Sequence, residues 1–378
     1  MLAGCGEVYR PIATPVTEPG ADPQTLHYAI ALSSSGGTAG EGRIAQINVP
    51  GDVNVGNRDV GIDPVSLAMA PLQSRVFVVN RGEDNISSYV PTSLGIPTAT
   101  IGLEPGAGAT FVAASLGYAW VTESSLNKVA LIDSNQGIVL GFIPVGANPV
   151  AIATDANASK AYVVNNGDNT VSVVSAVNRA LLTTIAVGSD PVAIVMSTNG
   201  AYAYVANRAG NSISVIDTST DTEIQRIGGV SSPTQLVWDD HLKRLYVVSN
   251  EGIVIYTAAA AQLALLKTLN PGHVPLGVAV LDDGSRFYTL HAGSPGTVDV
   301  YDAQSYTKRT TVTVQNAPTA IVASPGSQKV LVTNSAGTAS GDAADPLANG
   351  SISIIKTLNE SVLNIPPAGP NPFMIIAQ

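Results

Sequence analysis

The 378-residue chain is poor in charge, in aromatic residues and in sulfur: charged side chains make up 12 %, aromatics 5 %, and there is one cysteine, Cys5. A single cysteine excludes a disulfide framework and any zinc site of the multi-cysteine kind. The 18 Lys and Arg form no run, and the formal net charge is −10, so a surface that tracks phosphates is excluded and nucleic acid is not an expected partner. No apolar run reaches the roughly 18 residues needed to span a bilayer, which predicts a soluble body. What the chain does have is 36 Gly, 24 Pro and a hydrophobic share of 45 %, a composition of short strands and turns rather than of disorder.

One period dominates. Prolines recur in GANPVAIAT, GSDPVAIVM, VSSPTQLVW, GHVPLGVAV and QNAPTAIVA, as Pro149, Pro191, Pro233, Pro275 and Pro318, 42 or 43 residues apart. Pro64 fits the same ladder, with a proline-free rung at 108–114 between. Each rung is followed by a second apolar run (KAYVV, AYAYVAN, RLYVV, RFYTL, KVLVTN), a third (NTVSVV, NSISVID, EGIVIY, GTVDVYD, GSISII) and a more polar fourth. Four strands in a repeat of about 40 residues is the blade of a β-propeller. Middle runs that are apolar at consecutive positions, such as Tyr162-Val163-Val164, predict strands covered on both faces by neighbouring blades. The polar fourth run is expected on the circumference.

The ends complement one another. Residues 369–378 read as a first strand that stops, and residues 27–32 and 42–49 read as a second and third strand without a first. The C-terminal strand is therefore expected to complete the N-terminal blade and remove two open edges. The fold expected is all-β: an eight-bladed propeller over residues 23–378, preceded by a tether at 1–22, with seven blades as the alternative if the N-terminal segments only decorate the tether.

The phrases at 149–174 and 191–217 resemble the YVTN-type repeat family, closely over 147–229, clearly over 231–324 and more weakly at 62–145 and in the closing blade. The resemblance implies a seven- or eight-bladed propeller, commonly exported, often a surface or binding protein. Leu2-Ala3-Gly4-Cys5 resembles the lipobox of bacterial lipoproteins, although the charged and apolar parts of a signal peptide are missing. That resemblance implies export and lipidation at Cys5, with anchoring at the bacterial outer membrane, in the periplasm or at the cell surface. The repeated residues serve packing, so they say little about function.

Partner-specific chemistry is sought where the repeat is broken, on the face where the links between blades meet the links between second and third strands. Arg81 and Arg208 hold equivalent positions there, each after an Asn, and suit an anionic partner. His273 and His291 fall in one blade but are too few for a metal or haem cluster. The lengthened links at 33–42 and 335–350 suit docking, and the latter holds Asp342 and Asp345, a weak calcium candidate whose spacing matches no fixed ligand code. The expected function is a non-catalytic binding or scaffold module for other envelope or surface proteins, including a multi-subunit assembly, without a required cofactor. Two alternatives stay open: a propeller enzyme of lactonase type and an accessory protein of a redox or cofactor pathway. With only Trp120 and Trp238, the stacked tryptophans of quinone-cofactor propellers are absent, and so is the WD-repeat signature.

Overall fold

In the computed structural model, the described residues are 27–34, 40–71, 74–91, 99–115, 117–155, 158–258, 262–336, 350–365 and 368–377. They form eight four-stranded antiparallel sheets, a propeller of eight blades. Seven blades use four consecutive strands, for example β12 (Pro149–Thr154), β13 (Lys160–Asn165), β14 (Thr170–Ser175) and β15 (Ala180–Ala186). The eighth pairs β1 (Tyr28–Ser33), β2 (Glu41–Asn48) and β3 (Val53–Ile62) with β32 (Pro372–Ala377), the last strand of the chain. Closure by the C-terminal strand and the count of eight agree with the sequence reading. The tether at 1–22, Cys5, Asp342 and Asp345 lie outside the described residues.

Burial follows position along the blade radius. Strands β13 and β14 are buried at all but their first residue, whereas β15 is exposed at all but one, as a sheet sandwiched between neighbours with a wet outer edge requires. A large aromatic stands three residues before the end of the second strand in six blades: Phe77, Trp120, Tyr162, Tyr204, Tyr246 and Tyr288, all essentially inaccessible to solvent. They fill the wedge between blades. The lower, inner channel is lined by first-strand side chains such as Leu67, Met69, Phe111, Ile152 and Ile376, which leave an apolar space of about 390 Å³.

Two kinds of tie join neighbouring blades. At the lower face, basic residues at or just before the start of second strands reach the next blade. Lys160 donates to Asp221 Oδ2 at 2.7 Å, Arg75 donates to the Asn135 carbonyl at 2.7 Å, and Arg244, Arg286 and Lys329 make corresponding contacts with the Ala303 carbonyl, Glu360 and Asp52. Tyr162 adds its hydroxyl to Asp221 Oδ1 at 2.6 Å. At the upper face, the residue before the ring proline is left-handed in six blades, with φ of 52° at Asp63, 51° at Asn148 and 54° at Asp190. Asx side chains tolerate that conformation. Asn127, Asn169 and Asn211 of the preceding blade accept the N–H of Asn148, Asp190 and Ser232 at 2.9, 2.8 and 2.8 Å. Every such bond satisfies a backbone donor that a sharp link would otherwise leave open.

Lys329 joins Asp52 across the seam, and Gly350 lies under Pro372, where an added methyl would overlap both the Pro372 ring and the Gly369 carbonyl. Deletion of residues 371–378 is expected to abolish the cooperative melt and to give aggregation on size-exclusion chromatography, because it uncovers the paired edge of β1 and the apolar side chains of the neighbouring blades that β32 covers. Gly350→Ala should keep the fold but lower its stability by about 1–3 kcal/mol in denaturant titrations, within the usual range for overpacking.

Candidate partner-binding face

The upper face is organised by one repeated position, the last residue of each second strand. Taken around the ring it is Ser33, Asn80, Glu123, Asn165, Asn207, Ser249, His291 and Asn334, all buried. In the asparagine blades the amide clamps the third strand: Asn165 Nδ2 donates to Thr170 Oγ1 at 3.0 Å and Ser172 Oγ at 2.8 Å, and Asn207 Nδ2 to Ser212 Oγ at 3.2 Å and Ser214 Oγ at 2.9 Å. Asn80 and Asn334 do the same with Ser87 and Ser353. In Tyr162-Val163-Val164-Asn165 and Tyr204-Val205-Ala206-Asn207 the two end residues thus have mechanical roles: the aromatic fills the wedge and the asparagine locks the hairpin.

Two blades place an ionisable group at this position. Glu123 is fully buried and, among the described residues, neither carboxylate oxygen has a hydrogen-bond partner. Burial, reinforced by the negative charge of Glu104, pushes its carboxyl up to about 7, with Lys128 pulling the other way. His291 Nε2 shares a hydrogen bond with Thr289 Oγ1 at 2.8 Å and lies 3.6 Å from Asp299 Oδ2, while Nδ1 has no partner. Burial lowers the imidazole below its ordinary value against the opposing pull of Asp299, so it is neutral near pH 7. Asp299 in turn takes Lys308 Nζ at 2.7 Å and Thr311 Oγ1 at 2.7 Å. A catalytic relay needs acid and nucleophile on opposite ring nitrogens, whereas both neighbours here approach Nε2.

The sequence-derived candidates are distributed unevenly over this face. His273 is exposed and packs edge-on against His291, ring centroids 6.0 Å apart, so the structure does bring that pair together. His291 itself belongs to the end of β25 (Arg286–His291) and is 2 % exposed, not a rim side chain. Arg81 and Arg208 occupy equivalent places, as their spacing suggests, and each is paired within the chain: Arg81 Nε to Asp63 Oδ2 and Arg208 Nε to Asp190 Oδ2, both at 2.7 Å. Arg208 holds the Asp190 carboxyl below its ordinary value, helped by Asn166. Both guanidinium groups stay about half exposed, so they brace the pre-proline link and still present donors outward.

Sequence reasoning missed the recess at the closure seam. It has a volume of about 450 Å³ and is lined by Pro64, Val65, Thr319 and Phe373 together with Ser34 and Ser335. Thr319 Oγ1 donates to the Pro372 carbonyl at 2.7 Å and fixes the first strand of one blade to that of the next. Ser34 and Ser335, which stand at the starts of the two lengthened links in the sequence, both line this recess.

Glu123 generates a pH prediction. Its folded value, about 7, lies above the ordinary 4.5, so between those values the unfolded chain releases a proton that the folded chain retains. This residue's contribution therefore makes stability fall as pH rises from about 4.5 to about 7, then level off. Glu123→Gln is expected to remove that slope and to raise stability at pH 8 by about 1–3 kcal/mol, measured by urea titration at several pH values.

Among solved structures, the chain is similar to dihydro-heme d1 dehydrogenase NirN in complex with DHE, at 12 % identity over 97 % of this chain and 78 % of that one, with a TM-score of 0.75. It is also similar to a functionally unknown protein from Desulfotomaculum acetoxidans DSM 771, at 16 % identity over 76 % of this chain and 99 % of that one, with a TM-score of 0.58. The Kuenenia stuttgartiensis hydrazine synthase matches at 20 % identity and a TM-score of 0.40 over 66 % of this chain, which spans 63 % of the synthase chain. The first two likenesses concern the fold alone. A comparison with curated proteins found no match. The family profile described as YNCE-like beta-propeller matches residues 126–346, more than half of the chain, and with the eight-bladed ring in place the chain belongs to that family.

Proposed function

We propose that this chain is a non-catalytic, exported propeller of the YVTN-type surface class, held at the envelope or cell surface through a lipid on Cys5, that binds another protein through its upper face. The observation that carries the reading is the seam recess: a mainly apolar space of about 450 Å³ lined in part by Ser34 and Ser335, which begin the two lengthened links in the sequence. Pro64, Val65 and Phe373 offer a partner's apolar side chain a place to anchor, with serine and threonine hydroxyls around it. The half-exposed guanidinium groups of Arg81 and Arg208 suit an acidic rim on that partner.

A second reading, an accessory protein of a redox or cofactor pathway, draws support from the near full-length likeness to NirN and from the His273–His291 pair on the same face. An absorbance titration with haem separates the two. A saturable spectral shift that is lost in His273→Ala favours the accessory reading, and its absence leaves the protein-binding one.

Two outcomes are expected of the binding reading. Deleting residues 339–347 should change stability by no more than about 1 kcal/mol, since loop length carries a modest entropic term, while weakening recovery of the partner in a pull-down from native membranes. Cys5→Ser should move the protein from the membrane fraction to the soluble fraction with its melt unchanged, because stable anchoring needs the acyl chains. An unmodified Cys5 by intact mass, or equal partner recovery after the deletion, overturns the corresponding part.

A further inference from the structure

The lower face carries a recess of its own, about 420 Å³, on the links between first and second strands of adjacent blades and bounded by Thr198, Trp238, Asp239, Asp240, His241 and Asp282 with Val280. Asp239 ends β20 (Gln235–Asp239) and is 3 % exposed. Its Oδ1 accepts the Leu242 N–H at 3.0 Å, but its Oδ2 is buried without a partner. Burial raises the Asp239 carboxyl above its ordinary value despite opposing backbone hydrogen bonds and the charges of Arg244 and His241. The carboxylate is thus under-compensated by its own surroundings.

The neighbours set the kind of ligand. Asp240 is already neutralised by Lys243 at 2.6 Å and accepts the Trp238 indole N–H at 3.4 Å, which leaves Asp239 and Asp282 as the acids without a lysine or arginine bridge. Among the described residues, Asp282 Oδ2 accepts the Gly326 N–H at 3.1 Å and makes no ion pair. Among the described residues no three His, Cys, Asp or Glu side chains converge as a metal would require, so the negative charge is spread around a space too large for a bare ion. Trp238 is held rigid by stacking on Tyr204, centroids 5.6 Å apart and planes 15° from parallel, and its indole N–H is fixed by Thr198 Oγ1 at 3.1 Å. A rigid indole beside carboxylates favours a cation with an organic body.

We propose that the lower-face recess binds a small organic cation, an ammonium or guanidinium group on a short apolar stem, with the charge toward Asp239 and Asp282 and the stem along Trp238 and Val280. This site is separate from the upper face and does not depend on the partner assigned there.

The test is calorimetric titration of the full chain at fixed ionic strength with agmatine and cadaverine, and with 1-pentanol as the uncharged stem. Both amines should bind saturably at a stoichiometry of about one, and 1-pentanol should not bind. Asp239→Asn and Asp282→Asn should each weaken binding by about tenfold or more, and Trp238→Phe by less. Asp282 is exposed, so its variant keeps the test valid if Asp239→Asn alters the melt. Glu251→Gln removes the same unit of charge at an exposed position away from the recess and should leave binding unchanged. Non-saturating heats, equal weakening in Glu251→Gln, or no effect of either aspartate variant shows diffuse attraction to an acidic protein and overturns the site.

Discussion

The pairing of β32 with β1 is the constraint on which the rest of the molecule depends. A propeller blade cannot bury its own faces: each sheet is covered by the sheets on either side, so a ring left open exposes a complete apolar face at both ends of the break. Here the last strand pairs from Ala29↔Ala377 to Ser33↔Pro372 and supplies the innermost strand of the N-terminal blade. The apolar cluster formed by Ala29, Ala31, Ile47, Leu331, Ile354 and Ile375 then joins residues from the two ends of the chain into one packed body. Lys329 reaches across the same seam to Asp52.

With the ring closed, much of the chain's small stock of charge is committed to holding blades together. Arg75, Lys160, Arg244, Arg286 and Lys329 all bridge to the following blade at the lower face, and Arg81 and Arg208 brace links at the upper face. These groups are partly buried or geometrically fixed, which distinguishes them from freely solvated surface pairs. The groups that depart from the blade plan are few: Glu123 and His291 in the ring of buried positions, the seam recess, and Asp239 with Asp282 below.

The blade count and the mode of closure were legible because the proline ladder reports a backbone requirement, a sharp link entering an inner strand. Pro149↔Asn165 and Pro191↔Asn207 are the same register point in successive blades. The proline-free rung was still readable because Gly108 supplies the same left-handed entry, with φ of 55°. The candidate site was less legible. Arg81 and Arg208 were found by their equivalence, but their partners Asp63 and Asp190 lie 18 residues earlier, a separation that only the meeting of two links explains. His291 reads as a rim residue because it stands at the head of the LHAGSPG link, whereas the repeat places it at the buried ring position. The lower recess carries no signal in the repeat, because Asp239-Asp240-His241 sits in a link of ordinary length.

The register at the seam carries a further consequence. Ser33 meets Pro372, with an irregularity after it, as Asn165 meets Pro149 and Asn207 meets Pro191 in blades whose strands are covalently continuous. By backbone geometry the seam is an ordinary first-to-second-strand junction from which the connecting peptide has been omitted. The ring thus has no geometrical beginning, and the same eight sheets would be specified by a circularly permuted chain opened at another such junction and joined between 377 and 28.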